Sequence, residues 1–500
     1  MDLFANLGLG FETALSLSSL LHCFFGVLLG TLIGVLPGLG PLAAIAMLLP
    51  VTFALPPVES LIMLSGIYYG AQYGGSTTAI LVNLPGESSS VMTAVEGYQM
   101  ARRGRAGAAL ATAALGSFFA GTVATLVIAV FAPALARIAL QFSSPEYFSL
   151  MVLGLIASVV LAVGSPARAL GMVVLGLLLG LAGTDVMSGT SRFTLGIPEL
   201  SDGINFVIVA MGIFGLGEVV RNLENTLGRE VTVAKVGSLW PTRDEYRRAR
   251  MPVLRGTAIG SVLGLLPGGG ALLAAFASYA IEKKISRWPE QFGHGAIEGV
   301  AGPESANNAG AQTSFIPMLT LGIPSNPIMG LMIGAMIIQG IQPGPAVMTE
   351  QPQLFWGLIA SMWIGNVFLV ILNLPLIGMW ISLLRIPYDY LFPAILVFCA
   401  IGVFTLMNAQ FDVYTMAAFG ALGYVFLKLG CEPAPLLLGF ILGPMMEENL
   451  RRAMQISRGD PLVFIERPIS ATILLFSAAV LVAVLLPAVR RKREVAFQED

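Results

Sequence analysis

Charge is what this 500-residue chain has least of. Asp, Glu, Lys and Arg make up 11% of it, against about 25% in a soluble domain. Residues 106–136, 305–349, 351–384 and 468–489 carry none, and about 20 apolar residues suffice to cross a bilayer. That excludes an ordinary soluble fold, whose helices keep a polar face. Cysteine and histidine are scarce too. Cys23, Cys399 and Cys431 lie far apart, and His22 and His294 stand alone. Neither a disulfide framework nor a metal-ligand spacing is expected. The motifs H-E-x-x-H, G-x-S-x-G and G-x-x-x-x-G-K-[ST] are absent, so the chain is not expected to be an enzyme or to hydrolyse ATP. No Lys or Arg precedes Arg102, so the basic start of a signal peptide is missing. The net charge of −2 identifies no partner, and a nucleic-acid partner is not expected.

What the chain does have is apolar sequence, 56% by residue, punctuated by Pro and Gly. About fourteen apolar segments can be counted, several too short to span. Two of them share a phrase, "GVLPGLGPLAAIA" at 34–46 and "GLLPGGGALLAAF" at 264–276. Gly30, Gly34, Leu36, Pro37, Gly38 and Gly40 recur as Gly260, Gly264, Leu266, Pro267, Gly268 and Gly270. "GAQ" at Gly70–Gln72 recurs at Gly310–Gln312, and each copy runs on into a Pro in apolar sequence, Pro85 and Pro324. Matches in one order point to two structural repeats.

Basic residues set orientation. Eight of the 27 Lys and Arg fall in residues 221–255, and "RRKR" lies at Arg490–Arg493. Both are expected in the cytoplasm, with "ARRGR" at 101–105 and "RWPEQFG" at 287–293. "FALPPVES" at 53–60 and "IQPGPAVMTEQPQ" at 341–353 carry no basic residue and are expected outside. The bias flips between the halves, which is the mark of inverted topology. The expected fold is an all-α polytopic membrane protein with two inverted-topology repeats and re-entrant or broken helices. Residues 1–220 form the N-terminal repeat, 221–255 a cytoplasmic basic linker and 256–500 the C-terminal repeat. The N-terminus is expected in the periplasm and the C-terminus in the cytoplasm. Residues 256–281 are too few to cross twice, so a re-entrant hairpin is expected there; a single crossing with an unwound centre is the alternative.

A helix broken inside a membrane leaves backbone N–H groups free at the start of the next helix. Such breaks occur only within protein or beside water, and the helix N-terminus attracts anions. Two such ends meeting would form an anion site. The expected substrate contacts are Pro37, Gly38 and Gly40 at the first break, and Gly268, Gly269 and Gly270 at the second. The neighbouring polar residues join them: Gly75, Ser76, Thr77, Thr78, Asn83 and Gly86 in one half, and Asn307, Asn308, Gln312, Thr313, Ser314, Ser325 and Asn326 in the other. Any one of these hydroxyls is more readily a backbone-bonding residue; the cluster carries the reading. Among the acids, Glu87, Glu298 and Glu304 are candidates for a coupling ion, Na⁺ or H⁺. Asp185 and Asp412 read as solvated loop carboxylates. No other cofactor or metal is expected. A transporter of a small organic anion fits best, with a passive channel as the alternative.

At these motifs the chain resembles the large membrane subunit of the tripartite tricarboxylate transporters, the TctA family. The resemblance runs through "GVLPGLG", "YYGAQYGGSTTAILVNLPGE", "AVEGYQMARRGRAGAAL", "GAIEGVAGPESANNAGAQTSFIPMLTLGIPS" and "LGFILGPMMEENLRRA". It departs at Glu96, where the family pattern implies Asp, and at the charged turn "LPGESSS". The resemblance implies a bacterial inner-membrane system with a periplasmic solute-binding protein and a small membrane subunit as partners. It implies cation-coupled uptake of a di- or tricarboxylate such as citrate, or of another small acid such as an aromatic carboxylate.

Overall fold

The computed structural model describes residues 3–485, apart from 163, 186, 227–233, 235, 267–269, 385 and 387. Helices dominate it. The first half contains α1 (Leu3–Ala14), α2 (Leu17–Gly34), α3 (Pro41–Phe53), α4 (Pro57–Val82), α5 (Val91–Met100), α6 (Ala106–Ala139), α7 (Ser144–Leu161), α8 (Pro166–Gly180), α9 (Phe206–Ala210) and α10 (Gly217–Thr226). The second contains α11 (Arg243–Leu263), α12 (Gly270–Ile285), α13 (Glu298–Thr313), α14 (Phe315–Leu321), α15 (Pro327–Ile338), α16 (Ala346–Glu350) and α17 (Pro352–Asn373). It closes with α18 (Ile377–Leu383), α19 (Tyr388–Met407), α20 (Gln410–Lys428), α21 (Ala434–Ile456), α22 (Val463–Glu466) and α23 (Pro468–Leu485). Pro opens α3, α4, α8, α15 and α17, where its missing N–H costs nothing. Asn83 and Gly322 end α4 and α14 in the left-handed conformation.

Among the described residues, four helices are long and apolar enough to cross a membrane: Leu17–Gly34, Ala106–Ala139, Phe206–Glu224 and Pro352–Asn373. That is fewer than the apolar segments of the sequence, for two reasons. Pro and Gly cut several segments into shorter helices. And α4, at 26 residues, is interrupted by its own polar run from Gln72 to Thr78.

Glycine ladders hold each half together. A Cβ added at Gly26, Gly30 or Gly34 of α2 would fall on the carbonyl oxygens of Met63, Ile67 and Ala71 in α4. In the second half, Gly256, Gly260 and Gly264 of α11 meet the carbonyls of Gly302, Ala306 and Gly310 in α13 in the same way. Numbers rise together along each ladder, so α2 runs parallel to α4, and α11 to α13. In the chain between each pair, α3 and α12 run back the other way. Where the halves meet, Gln72 faces Asn307 and Ser76 faces Glu304, so α4 and α13 are antiparallel.

The loops sort to two ends. At one, Arg248 pairs with Glu298 and Gln291, Arg105 pairs with Glu245, and the backbone of Gly293 binds Glu96. "ARRGR" and "RWPEQFG" therefore share an end. At the other, Gln339 donates to the carbonyls of Thr52 and Leu55 at 3.3 Å each, which brings "FALPPVES" beside the segment after α15. A small antiparallel hairpin, Gly183–Thr184 against Ser191–Arg192, follows α8. Its Asp185 is not the solvated carboxylate the sequence suggested. It is 8% exposed and pairs with Arg192 and Arg451.

Candidate functional site

Glu304 sits in the centre of the contact between halves, 1% exposed. Its carboxylate accepts hydrogen bonds from Ser76 Oγ of α4 and Thr93 Oγ1 of α5, both at 2.6 Å. Ser117 Oγ of α6 lies 3.5 Å away and Asn308 Nδ2 3.4 Å away. Asn308 in turn donates to Ser117 Oγ at 2.6 Å. Four helices thus converge on one carboxylate. Among the described residues, Glu304 forms no ion pair with Lys or Arg; its partners are hydroxyls and an amide. A cavity of about 10 Å³ lined by Tyr73, Ser76, Thr77, Leu110 and Glu304 adjoins it, about enough for one water.

Glu87 meets α13 about one turn beyond Glu304, at Asn307. It follows the break after α4, and Asn307 Nδ2 donates to its Oε1 at 3.1 Å. Gln72 Nε2 lies 3.4 Å from Asn307 Oδ1. Glu298, the third expected coupling acid, is elsewhere: Arg248 grips it at 2.8 Å with two nitrogens at the basic end.

The expected substrate contacts divide into groups. Gly40, Gly75 and Gly86 converge. A Cβ on Gly40 would lie 2.6 Å from the Gly86 carbonyl, and one on Gly86 2.7 Å from Gly75 Cα. The start of α3 thereby packs against the break after α4. Thr78 donates to the Val35 carbonyl at 2.9 Å, tying α4 to the first tip beside Pro37, while Thr77 bonds within its own helix. In the second half, Ser325 donates to the Ser314 carbonyl at 3.1 Å, and Asn326 Nδ2 to Ser314 Oγ at 3.3 Å. Asn326 also caps α15 through Met329 N. Gly270 and Ser314 are neighbours, with an added Cβ 3.2 Å from Ser314 Oγ. Thr313 bonds to the Ala309 carbonyl, and Gln312 is buried with no partner for Oε1. Two positions fall outside these groups. Asn83 is exposed, a helix-ending residue. Gly38, at φ +77°, lies against Asn222, whose Nδ2 donates to its carbonyl at 2.9 Å. Gly268 and Gly269 lie outside the described residues.

The sequence did not single out Thr93, Ser117 and Gln72 as site residues. Gln72 alone carried a signal, the repeated "GAQ". The larger groove, about 680 Å³ between α6 and α11, is lined by apolar side chains with only Thr257 and Ser261 as polar groups, which does not suit an anion.

A protein-family model described as the tripartite tricarboxylate transporter TctA family matches residues 20–438. The chain belongs to the TctA family. TctA proteins are parts of tripartite transporters, and with the long apolar helices this makes the chain a membrane transport subunit. The chain is 64% identical over 500 residues, the whole of both proteins, to an uncharacterized 52.8 kDa protein in the TAR-I ttuC' 3' region of Agrobacterium vitis. It is 63% identical over 241 residues, 48% of this chain and all of the relative, to an uncharacterized protein in the TAR-II ttuC' 3' region of the same organism. No solved structure matches.

Proposed function

We infer that this TctA protein imports a di- or tricarboxylate through the bacterial inner membrane, coupled to a cation gradient. A periplasmic binding protein delivers the substrate, and a small membrane subunit assists. The single observation that carries the coupling is Glu304, a buried carboxylate with only neutral partners. A carboxylate substrate brought to this cluster meets like charge. Attraction there comes from the helix starts at Gly40 and Asn326, from hydroxyls and amides, and from a cation that travels with the substrate. A proton suits Glu304 in particular. Hydroxyls both donate and accept, so Ser76, Thr93 and Ser117 can serve the ionised and the protonated acid.

The two glycine ladders, the antiparallel meeting of α4 and α13 and the flipped basic bias support two inverted repeats. The returning α3 and α12 support re-entrant hairpins. In this reading the basic end faces the cytoplasm, and alternating access rocks the halves about the Glu304 cluster.

Flux into proteoliposomes holding the chain with its small subunit and receptor tests this. Radiolabelled citrate and a panel of dicarboxylates serve as probes. The expected result is uphill accumulation of at least one acid, only under an inward H⁺ or Na⁺ gradient. Equilibration without accumulation under every gradient would instead support a passive channel.

A further inference from the structure

Glu304 borders the cavity of about 10 Å³, and so does a polar side chain with a bond unmade. Asn373, the last residue of α17, is 4% exposed and lines the same cavity. Its Nδ2 donates to the Leu369 carbonyl at 2.9 Å. That anchors the amide and leaves Oδ1, which is buried and accepts no hydrogen bond from the described residues. The hydroxyls on the cavity wall donate elsewhere: Tyr73 to the Ala114 carbonyl, Ser76 to Glu304 and Thr77 to the Tyr73 carbonyl. Buried polar atoms nearly always have a partner. A water fits the room available, and it needs the two or more polar partners that Glu304 and Asn373 provide.

We propose that this cavity holds one water, that Asn373 orients it, and that Glu304 exchanges its proton through it. This rests on the reading of Glu304 above as the acid that carries a coupling proton. Protonated Glu304 donates its O–H to the water oxygen, while the water donates to Asn373 Oδ1. The proton crosses to the water, the water releases one of its own, and Glu304 is left as the carboxylate. No other bond changes. Asn373 never carries the proton; it is a positioning residue. The cavity admits a water and is too small for a carboxylate substrate, so proton and substrate reach the Glu304 cluster by different routes. It also lies toward the basic end. Glu304 follows Glu298 by about 9 Å of helix rise, and Ala113 and Ala114 on the cavity wall lie in the first turns of α6, which begins beside Arg105. Just past Asn373, Pro375 and Leu376 are exposed. The proton can therefore leave while α4 and α13 stay in contact.

A pH jump on the purified full-length protein, without substrate, tests the relay by time-resolved infrared spectroscopy. The carboxylic C=O band that is lost in Glu304→Gln reports the proton on Glu304. Asn373→Leu fills the same space but offers no oxygen, and Ala113→Val narrows the cavity from α6 with the amide left in place. Each should slow the response of the band about tenfold and leave its final height unchanged. Asn373→Ser, which keeps an oxygen, should respond nearly as fast as wild type. The two slowed variants enter from different helices, so one that fails to fold leaves the other to decide. A band that follows the jump as fast in the folded variants as in wild type would overturn the relay. That result leaves Glu304 as the coupling acid, reached by another route. A wild type with no Glu304 band at any pH at which it stays folded would overturn the proton-carrying reading of Glu304, and the relay with it.

Discussion

Two regions of this protein hold acids of opposite chemistry. At the basic end, Glu96, Glu282 and Glu298 all have partners within the protein. Arg248 holds Glu298 and stacks on Trp288, its guanidinium 4.6 Å from the ring centre. Arg255 holds Glu282 at 2.5 Å. Glu96 accepts from Tyr279 Oη at 2.7 Å and from the backbone N–H groups of Gly293, Gly295 and Ala296. At the centre, Glu304 and the half-buried Glu87 have hydroxyls and amides but, among the described residues, no Lys or Arg partner. A carboxylate that the protein neutralises itself belongs to the architecture. One left for something else to neutralise can exchange its counter-charge, which is what coupling requires.

The largest expected effect comes from the centre. Glu304→Gln should remove the response of uptake to an imposed gradient while leaving expression and melting temperature near wild type. Glutamine fits the same space and still accepts from Ser76. A variant that transports normally would erase the distinction between the regions.

Glu96→Gln should do the reverse. The amide keeps one acceptor oxygen and turns an NH₂ group toward backbone donors, so charge-assisted bonds worth about 1.5–3 kcal/mol each are lost. Lower folded yield with uptake per folded molecule retained is expected, read by detergent-solubilised fluorescence chromatography beside flux.

Arg248→Gln alone should destabilise by about 3 kcal/mol, the low end for breaking a buried pair. Pairing it with Glu298→Gln should recover part of that loss, because no unpaired charge stays behind. A double-mutant cycle in thermal unfolding checks the coupling. If Arg248→Gln instead abolished uptake without loss of stability, Glu298 would belong with the central acids.

The smallest effect lies on the hairpin. Ser188 donates to Asp185 at 2.5 Å. That bond, with the Arg451 guanidinium, holds the Asp185 carboxyl well below the usual carboxylate range. A depressed folded pKa adds stability above the unfolded value of about 3.9 and loses it as pH falls through the folded one. Asp185→Asn should therefore lower the melting temperature slightly at neutral pH, and the gap from wild type should narrow below about pH 4.

Much of this contrast was legible in the sequence where it rests on local chemistry. Uncharged runs announced the membrane. The repeated Gly30 and Gly34, and Gly260 and Gly264, face carbonyls across a helix pair, and the first Pro-Gly break separates α2 from α3. Basic stretches placed "ARRGR" and "RWPEQFG" at one end. Legibility stopped where contacts join distant segments. Nothing in "VMTAVEGYQM" says that Thr93 will bond an acid 211 residues away, or that Glu96 will bind the backbone after Phe292. Glu298 and Glu304 look alike in sequence, and only the Arg248 fork separates them. Nor does the first Pro-Gly phrase say that Gly38 will lie against Asn222, from the helix just before the basic linker.

The most direct test drives uptake with a pH gradient. Proteoliposomes holding the complete system, at equal sodium on both sides, are given an acid exterior, and accumulation of the transported carboxylate is followed beside its one-for-one exchange. Wild type should accumulate substrate, while Glu304→Gln should exchange it but gain nothing from the gradient. Equal gradient-driven accumulation by wild type and Glu304→Gln would contradict the assignment of Glu304 as the exchangeable acid.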